Sequence, residues 1–404
     1  MVNNLTKINL NEIKLSLKSQ LNGEHQFING GISDIVICLH PQNDDFMPMV
    51  IGRLLNKNHG YCLVCEGKDD GNAKNSFKNF LLSTCRKYKP LMVLDLTSTN
   101  EDCQVSLVSD YGKTLLDDTL SLSSLITSFN KYGIEKVITD GNFSGNTNPA
   151  QVVSEKLSQK ALQIEINEGY ANKSTLNIIK IVNAIHLFCQ ILRKRNEVMA
   201  RYIDIPLLRE IDKQFATGQS LNDFEYVNSI DDIVLSAPHA KQSVFNGKVK
   251  ASESMTGSIC KLFNTEFGFS VIYKTKDNQI DYFNTQANQY KDTLIKKVIK
   301  PDTKLFLELH TLSQKRVQDV TLFLPENYDK EKLYQIINAL NNHGLQYFSI
   351  NSVFDSYKKH RTINQIKNNC FKLQICFNER LYQNDETLSN VTSALKEIIS
   401  IFLD

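Results

Sequence analysis

The chain has 404 residues, 41% of them hydrophobic and 22% charged, with a formal net charge of +2. That length holds two or three ordinary domains, and the composition is globular rather than disordered. The near-neutral balance gives no basic footprint for nucleic acid or an anionic membrane surface.

At the start, residues 1–18 place Asn4, Asn11 and Glu12 among short apolar groups, unlike the continuous apolar core of a signal peptide. No uninterrupted apolar run of about 18 residues follows, so no membrane association is expected. The expectation is a soluble, cytoplasmic protein. The nine cysteines are scattered and odd in number, which suits reduced thiols better than a disulfide framework. Cys62 and Cys65 form a CxxC, but residues 60–65 read as a strand, whose two-residue period sends them to opposite faces. They are expected to be structural.

Read against itself, the chain repeats. Ile35-Val-Ile-Cys-Leu-His40 and Ile233-Val-Leu-Ser-Ala-Pro-His239 are short apolar runs ending on histidine. Ile51-Gly-Arg-Leu-Leu-Asn56 mirrors Ile259-Cys-Lys-Leu-Phe-Asn264, each helix-like and followed by a glycine and a strand. Leu91-Met-Val-Leu-Asp-Leu-Thr97 matches Leu305-Phe-Leu-Glu-Leu-His310. Leu162-Gln-Ile-Glu-Ile-Asn167 matches Leu373-Gln-Ile-Cys-Phe-Asn378, and each ends 34 residues beyond a glycine, Gly133 and Gly344, with Phe143 and Phe354 in register between them. Four motifs in one order point to a tandem duplication.

The runs at Ile35, Leu91, Ile233 and Leu305 are continuously apolar, the pattern of strands covered on both faces. A helix over 174–192 carries Ile178, Ile179, Val182, Ile185, Ile191 and Leu192 at three- and four-residue steps, and 388–402 holds the same place later. Each copy is therefore expected to be an α/β domain of three αβα layers around a mostly parallel, mixed sheet. The copies span 28–192 and 229–404, joined over 193–228 by a charged connector with one helix. His40, Thr97, His239 and His310 then sit at the carboxyl ends of strands, where open α/β sheets place ligands.

The order of these residues (Pro-His, an acid before a helix, Asp/Glu-Leu-His at a strand end, then Gln-Ile-Glu-Ile-Asn) resembles the N-formylglutamate amidohydrolase family. These are zinc hydrolases on a carboxypeptidase-like α/β fold. The resemblance implies that His239, Glu253 of Ala-Ser-Glu-Ser-Met-Thr-Gly257, and His310 are metal ligands in the second copy. Cys376 stands there in place of the family's general base. The first copy keeps that carboxylate as Glu165, together with Asn167, His40 and Asp45, but Thr97 replaces the third ligand. Asp281-Tyr-Phe-Asn284 lies where the family has an Asn-Arg pair for the substrate carboxylate, and it brings no arginine. Asn284, Asn378 and Arg361 are the substrate-binding candidates.

Two imidazoles and a carboxylate are the protein ligands of a catalytic zinc with an open position. Zinc polarises a carbonyl, and a nearby carboxylate moves the proton. Cys376 has three readings: a small buried hydrophobe, a fourth zinc ligand that closes the site, or a reactive thiol. Arg361, in Lys358-Lys-His-Arg-Thr362, is either a clamp for a carboxylate or part of a solvated basic loop. His40 with Asp45 offers two ligands and reads as vestigial. His186 and His343 read as structural, and Arg193-Lys-Arg195 as cations at a helix carboxyl end. There is no Gly-rich phosphate loop, Gly-x-Ser-x-Gly elbow or His-Glu-x-x-His motif. The leading expectation is a zinc-dependent amidohydrolase for a small acidic molecule. The alternative is a non-catalytic member that binds a ligand or a protein.

Overall fold

In the computed structural model the described residues are 25–39, 46–67, 73–116, 118–139, 148–218, 220–229, 232–285, 287–351 and 361–403. His40, Asp45, Phe143 and Phe354 lie outside them. The chain divides into two compact units, Met1–Asn196 and Glu197–Leu403.

The first unit holds β1 (Gln26–Ile28), β2 (Ile32–Leu39), β3 (Tyr61–Cys65), β4 (Met92–Thr99), β5 (Val105–Val108), β6 (Val137–Thr139) and β7 (Ala161–Asn167). They form one sheet in the order β1-β3-β2-β4-β7-β5-β6. The second unit holds β8 (Phe224–Val227), β9 (Ile233–Ala237), a separate hairpin of β10 (Ser243–Phe245) and β11 (Lys248–Lys250), then β12 (Ser270–Lys274), β13 (Leu305–Leu312), β14 (Val320–Phe323), β15 (Phe348–Ile350) and β16 (Phe371–Asn378). Its sheet runs β8-β12-β9-β13-β16-β14-β15. Strand for strand this is the first sheet again. In each, the edge strand (β1 or β8) and the β5–β7 or β14–β16 pair are antiparallel, and the remaining pairs are parallel.

The agreement extends to single residues. Cys38 pairs with Asp95 as Ser236 pairs with Glu308. Thr97 pairs with Glu165 as His310 pairs with Cys376. Ser106 faces Glu165 as Thr321 faces Cys376. A one-residue slip in any strand would turn its side chains to the other face, so matched register means matched faces. The two α/β units are one architecture used twice, and the strands over 162–167 and 373–378 are equivalent.

The faces sort as the continuous apolar runs require. In the first unit Ile35, Ile37, Leu63, Cys65, Leu94 and Ile164 join one core cluster, while Val36, Cys38, Cys62, Val64 and Val93 join another. Cys62 and Cys65 thus point to opposite sides, and all nine cysteines are free thiols. The helix Thr175–Ala200 is long and apolar enough to cross a membrane by length and composition. Its Ile178, Ile181, Val182 and Ile185 are fully buried in the first unit's core.

Both sheets begin earlier than the sequence pattern suggests. β1 lies mostly before residue 28, and β8 lies within the segment 193–228, which also carries the helix Ile205–Thr217. These edge strands are short and only partly buried, so they lack the apolar run that marks the central ones.

The turn that leads into β3 and β12 shows why the motif repeats. The helices Met47–His59 and Thr256–Phe267 end on Gly60 and Gly268, left-handed at φ 78° and 74°. The amides of Asn56 and Asn264 reach across to donate to the carbonyls of Tyr61 and Phe269, each at 2.7 Å. Losing one such bond costs about 1 kcal/mol. Asn264→Ala is therefore expected to loosen the second unit by about that much, and Asn56→Ala the first, each read by hydrogen exchange in the central strands of its own sheet.

Candidate metal centre

Three elements of the second unit deliver three side chains to one place. β13 carries His310 near its carboxyl end, on the face shared with Phe306, Glu308 and Leu312. His239 follows β9 in a turn after Pro238. Glu253 arrives just before the helix Thr256–Phe267, its N–H donating to the His239 carbonyl at 2.9 Å. That arrival is strained. Met255, buried and not a glycine, takes a left-handed φ of 65°, a conformation that persists only where surroundings enforce it. Asp212 enforces it by accepting from the Met255 N–H at 2.8 Å and from the Ser258 hydroxyl at 2.7 Å.

Among the described residues, His239, Glu253 and His310 offer ligand atoms that all lie within 4.8 Å of one another. Glu253 Oε1 is 3.1 Å from His239 Nδ1, and Oε2 is 3.0 Å from His310 Nδ1. Each imidazole thus turns Nδ1 to the centre and Nε2 away from it. His239 Nε2 donates to Asp281 Oδ1 at 2.7 Å, and His310 Nε2 donates to Glu308 Oε1 at 3.3 Å. Carboxylates accept only, so both Nε2 atoms carry protons, and an ion would take the Nδ1 positions by displacing the protons they share with Glu253. Two such nitrogens and a carboxylate, with carboxylates behind the imidazoles, are chemically suited to a divalent metal.

The electrostatics agree. Burial would raise the Glu253 pKa, but the two imidazoles overrule it and hold the carboxylate well below its usual range. Burial would lower the His310 pKa, but Glu253 and Glu308 push it up to about 10. His239 is raised too: burial opposes the shift, while Glu253 and Asp281 drive it. Without an ion, protons hold the place that a cation would take.

Asp281 is the residue the sequence reading passed over, although it opens the motif quoted for Asn284. Its Oδ1 also accepts from the Phe283 and Asn284 N–H groups, and its Oδ2 accepts from Asn284 Nδ2 at 2.7 Å and meets Lys250 Nζ at 3.2 Å. Asn284 is therefore committed to holding Asp281 rather than open to a substrate. The surrounding loop is tied by buried lysines: Lys274 donates to the Gln242 and Ile280 carbonyls, and Lys291 to those of Phe283 and Thr285. Burial brings both ammonium groups down to about 8, against the pull of nearby carboxylates. Phe283 sets its ring against both imidazoles, with centroids 5.4 Å and 4.7 Å away.

The other candidates distribute unevenly. Cys376 is buried beside His310 on β16 and stands outside the group of three. Burial pushes its thiol far up, and Glu253 adds to the shift, so it is neither a thiolate nor a base at neutral pH. Asn378 is buried, donating to the Arg316 and Gln318 carbonyls and capping the Arg380 N–H. Its side chain organises a loop. Arg361 is buried with its guanidinium stacked over Phe323 at 4.1 Å, not solvated. Glu165 lies in the first unit, its pKa raised by burial and partly restored by a bond from Ser106. A separate cleft of about 290 Å³, lined by Phe215, Glu225, Lys241 and Tyr273 among others, includes none of the three ligand candidates.

No family model matches the chain, and no curated protein matches it. Three solved structures illustrate its likenesses. A candidate peptidase from Clostridium acetobutylicum is 9% identical over 42% of this chain and 43% of its own, with a TM-score of 0.28; the chain thus spans under half of that protein. N-formylglutamate amidohydrolase from Ralstonia eutropha is 12% identical over 45% of this chain and 96% of its own, at 0.31. A metallo-carboxypeptidase from Burkholderia cenocepacia is 8% identical over 44% and 67%, also at 0.31. Each likeness covers less than half of this chain.

Zinc uptake by the metal-free protein at pH 7 is expected to release protons, because the His310 imidazole, pushed up to about 10, is protonated there and an ion must displace its proton from Nδ1. Apparent affinity then weakens as the pH falls and strengthens as it rises. Calorimetry in buffers of different ionisation heat reads the proton count, and binding without proton release would contradict this account. His310→Ala should lose the site.

Proposed function

We propose that the second unit is a metal-dependent hydrolase site, with zinc the ion its donors suit, acting on the amide-type bond of a small acidic molecule. The observation that carries the proposal is the convergence of His239 Nδ1, Glu253 and His310 Nδ1, each imidazole backed by a carboxylate. When bound, zinc would supply Lewis acidity for an amide carbonyl and for water. The chain's own groups do the rest. His239, Glu253 and His310 would hold the ion, and Phe283 shields both imidazoles on one side. Lys250, with a side chain 41% exposed beside Asp281, offers a positive charge to an acidic substrate. Nine free thiols suit a reducing compartment such as the cytoplasm.

One observation favours a second reading. Cys376 occupies the register position that holds Glu165 in the first unit, and its protonated thiol offers no general base. Glu308 does not replace it, because it touches His310 on the side away from the ligand nitrogen. A site that binds zinc without turnover would be a ligand-binding module. General-base help is worth about 10²–10⁴ in rate, so the native protein should hydrolyse N-acyl amino acids slowly and lose that activity to a chelator. Cys376→Glu should raise the rate within that range. Thr321 stands opposite position 376 as Ser106 stands opposite Glu165, so a hydroxyl lies at the right register to receive the new carboxylate. Zinc near one per chain in both forms, measured alongside turnover, decides the matter. Zinc without turnover in either form selects the binding module. Absence of zinc removes the proposal, and fast native turnover abolished by Cys376→Glu would show the machinery to be misassigned.

A further inference from the structure

The least explained group in the second unit is Glu308. It is fully buried, in the middle of the central strand β13, and its Oε2 has no hydrogen-bond partner among the described residues. A buried carboxylate costs several kcal/mol unless it is compensated, so a reason for its presence must be sought in what it touches. The contact is with His310. The two residues are two apart on one strand, hence on one face, and Glu308 Oε1 lies 3.3 Å from His310 Nε2.

We propose that Glu308 is a positioning residue for the metal centre: it keeps the proton of His310 on Nε2 and turns Nδ1 toward Glu253. An imidazole can present either nitrogen, and the bond made by one decides which is left for an ion. His310 has no other hydrogen bond from Nε2 among the described residues. Its ring is fixed from two sides: Glu253 Oε2 sits 3.0 Å from Nδ1, and the Phe283 ring lies 4.7 Å away. A ring flip would put Cδ2–H and Cε1–H where Nδ1 and Nε2 now meet Glu253 and Glu308, so each carboxylate holds the ring as it stands, and Glu308 is the one that takes up the Nε2 proton and leaves Nδ1 for an ion. The proposal rests on the reading of this centre as a metal site.

The first unit supplies the competing account. Asp95 is fully buried at the corresponding position of β4, where Thr97 stands in place of the histidine. A buried acid there could serve the sheet alone. The two accounts differ in what a substitution moves. If Glu308 only supports the sheet, Glu308→Gln changes stability and leaves His310 and zinc binding as they were.

The test uses the full chain, with zinc competition against a chelator and imidazole proton–nitrogen spectra of His310, loaded and metal-free. The proposal expects Nδ1 to be the zinc-bound nitrogen and the Nε2 proton to be protected from exchange. It expects Glu308→Gln and Glu308→Ala to weaken zinc binding by about 10- to 100-fold, the glutamine less because its amide oxygen still accepts. The Nε2 proton signal should move in both. Zinc held through Nε2, or an affinity and signal unchanged in folded Glu308→Gln, overturns the proposal. If Glu308→Ala does not fold, the wild-type spectra and the glutamine variant decide alone. If the native chain binds no zinc, the metal reading fails by itself, and the metal-free spectra still judge the contact. A Nε2 proton that shifts in Glu308→Gln then upholds the orientation, and one that stays overturns it.

Discussion

The second unit is organised around one carboxylate that water scarcely reaches. Glu253 has 19% of its side chain exposed and is gripped by two imidazoles. Everything behind it follows from charge balance. Two imidazoles that share a negative charge carry protons, and protonated rings at 5% and 6% exposure need counter-charges of their own. Asp281 and Glu308 provide them. These carboxylates are buried in turn, and the next layer is cationic: Lys250 on Asp281, with Lys274 and Lys291 holding the loop from which Asp281 projects. Behind His239 the signs alternate outward through Asp281 to Lys250, while among the described residues Glu308 is held by His310 alone. An ion at the middle would replace protons without disturbing the layers outside.

The two units show what becomes of such a plan when its halves diverge. The sheets agree in order, direction and register, yet they carry different side chains at two matched positions. The first keeps the carboxylate at position 165 and has Thr97 opposite it, while the second keeps His310 and has Cys376 opposite it. The hairpin β10–β11 adds to the difference. It lies between His239 and Glu253, and its last strand places Lys250 against Asp281. A positive charge thus reaches Asp281 from an element outside its own loop.

How far the sequence could be read depended on where each constraint is written. The central strands announce themselves because both their faces are buried, so apolar residues run on with few interruptions, and the duplication shows because those runs recur in order. His239, Glu253 and His310 were singled out by the resemblance of their motifs to a known family, the two histidines also standing at strand ends, and the structure brings the three together. Edge strands were not: β8 reads Phe-Glu-Tyr-Val with most side chains exposed, which no burial pattern distinguishes from a loop. Asp281 was hidden for a different reason. Its role depends on buried lysines at 274 and 291 closing a loop around it, a long-range arrangement without local signature. Asn378 and Asn284 look like polar groups spare for a ligand until their amides are seen to be spent on loop carbonyls and on Asp281. Arg361, beside two lysines and a histidine, reads as a carboxylate clamp or as part of a solvated loop, yet it is buried and Phe323 offers it an aromatic face in the interior.

The same charge layering explains which parts of this site resist change. Removing one partner from a buried pair costs about 3–5 kcal/mol, because the other charge is left uncompensated. His310 has partners on both sides, so its loss would strand Glu308 and leave Glu253 with one imidazole, that of His239, and the loss of Asp281 would take a counter-charge from His239 and the ion pair from Lys250. Position 376 carries no such obligation. Exchanging a carboxylate there for a thiol withdraws a charge from an apolar cluster that includes Phe306, Phe323 and Ile363, and the surrounding groups need no new partner. The three converging side chains are thus locked by their own electrostatics, while position 376 is free to vary.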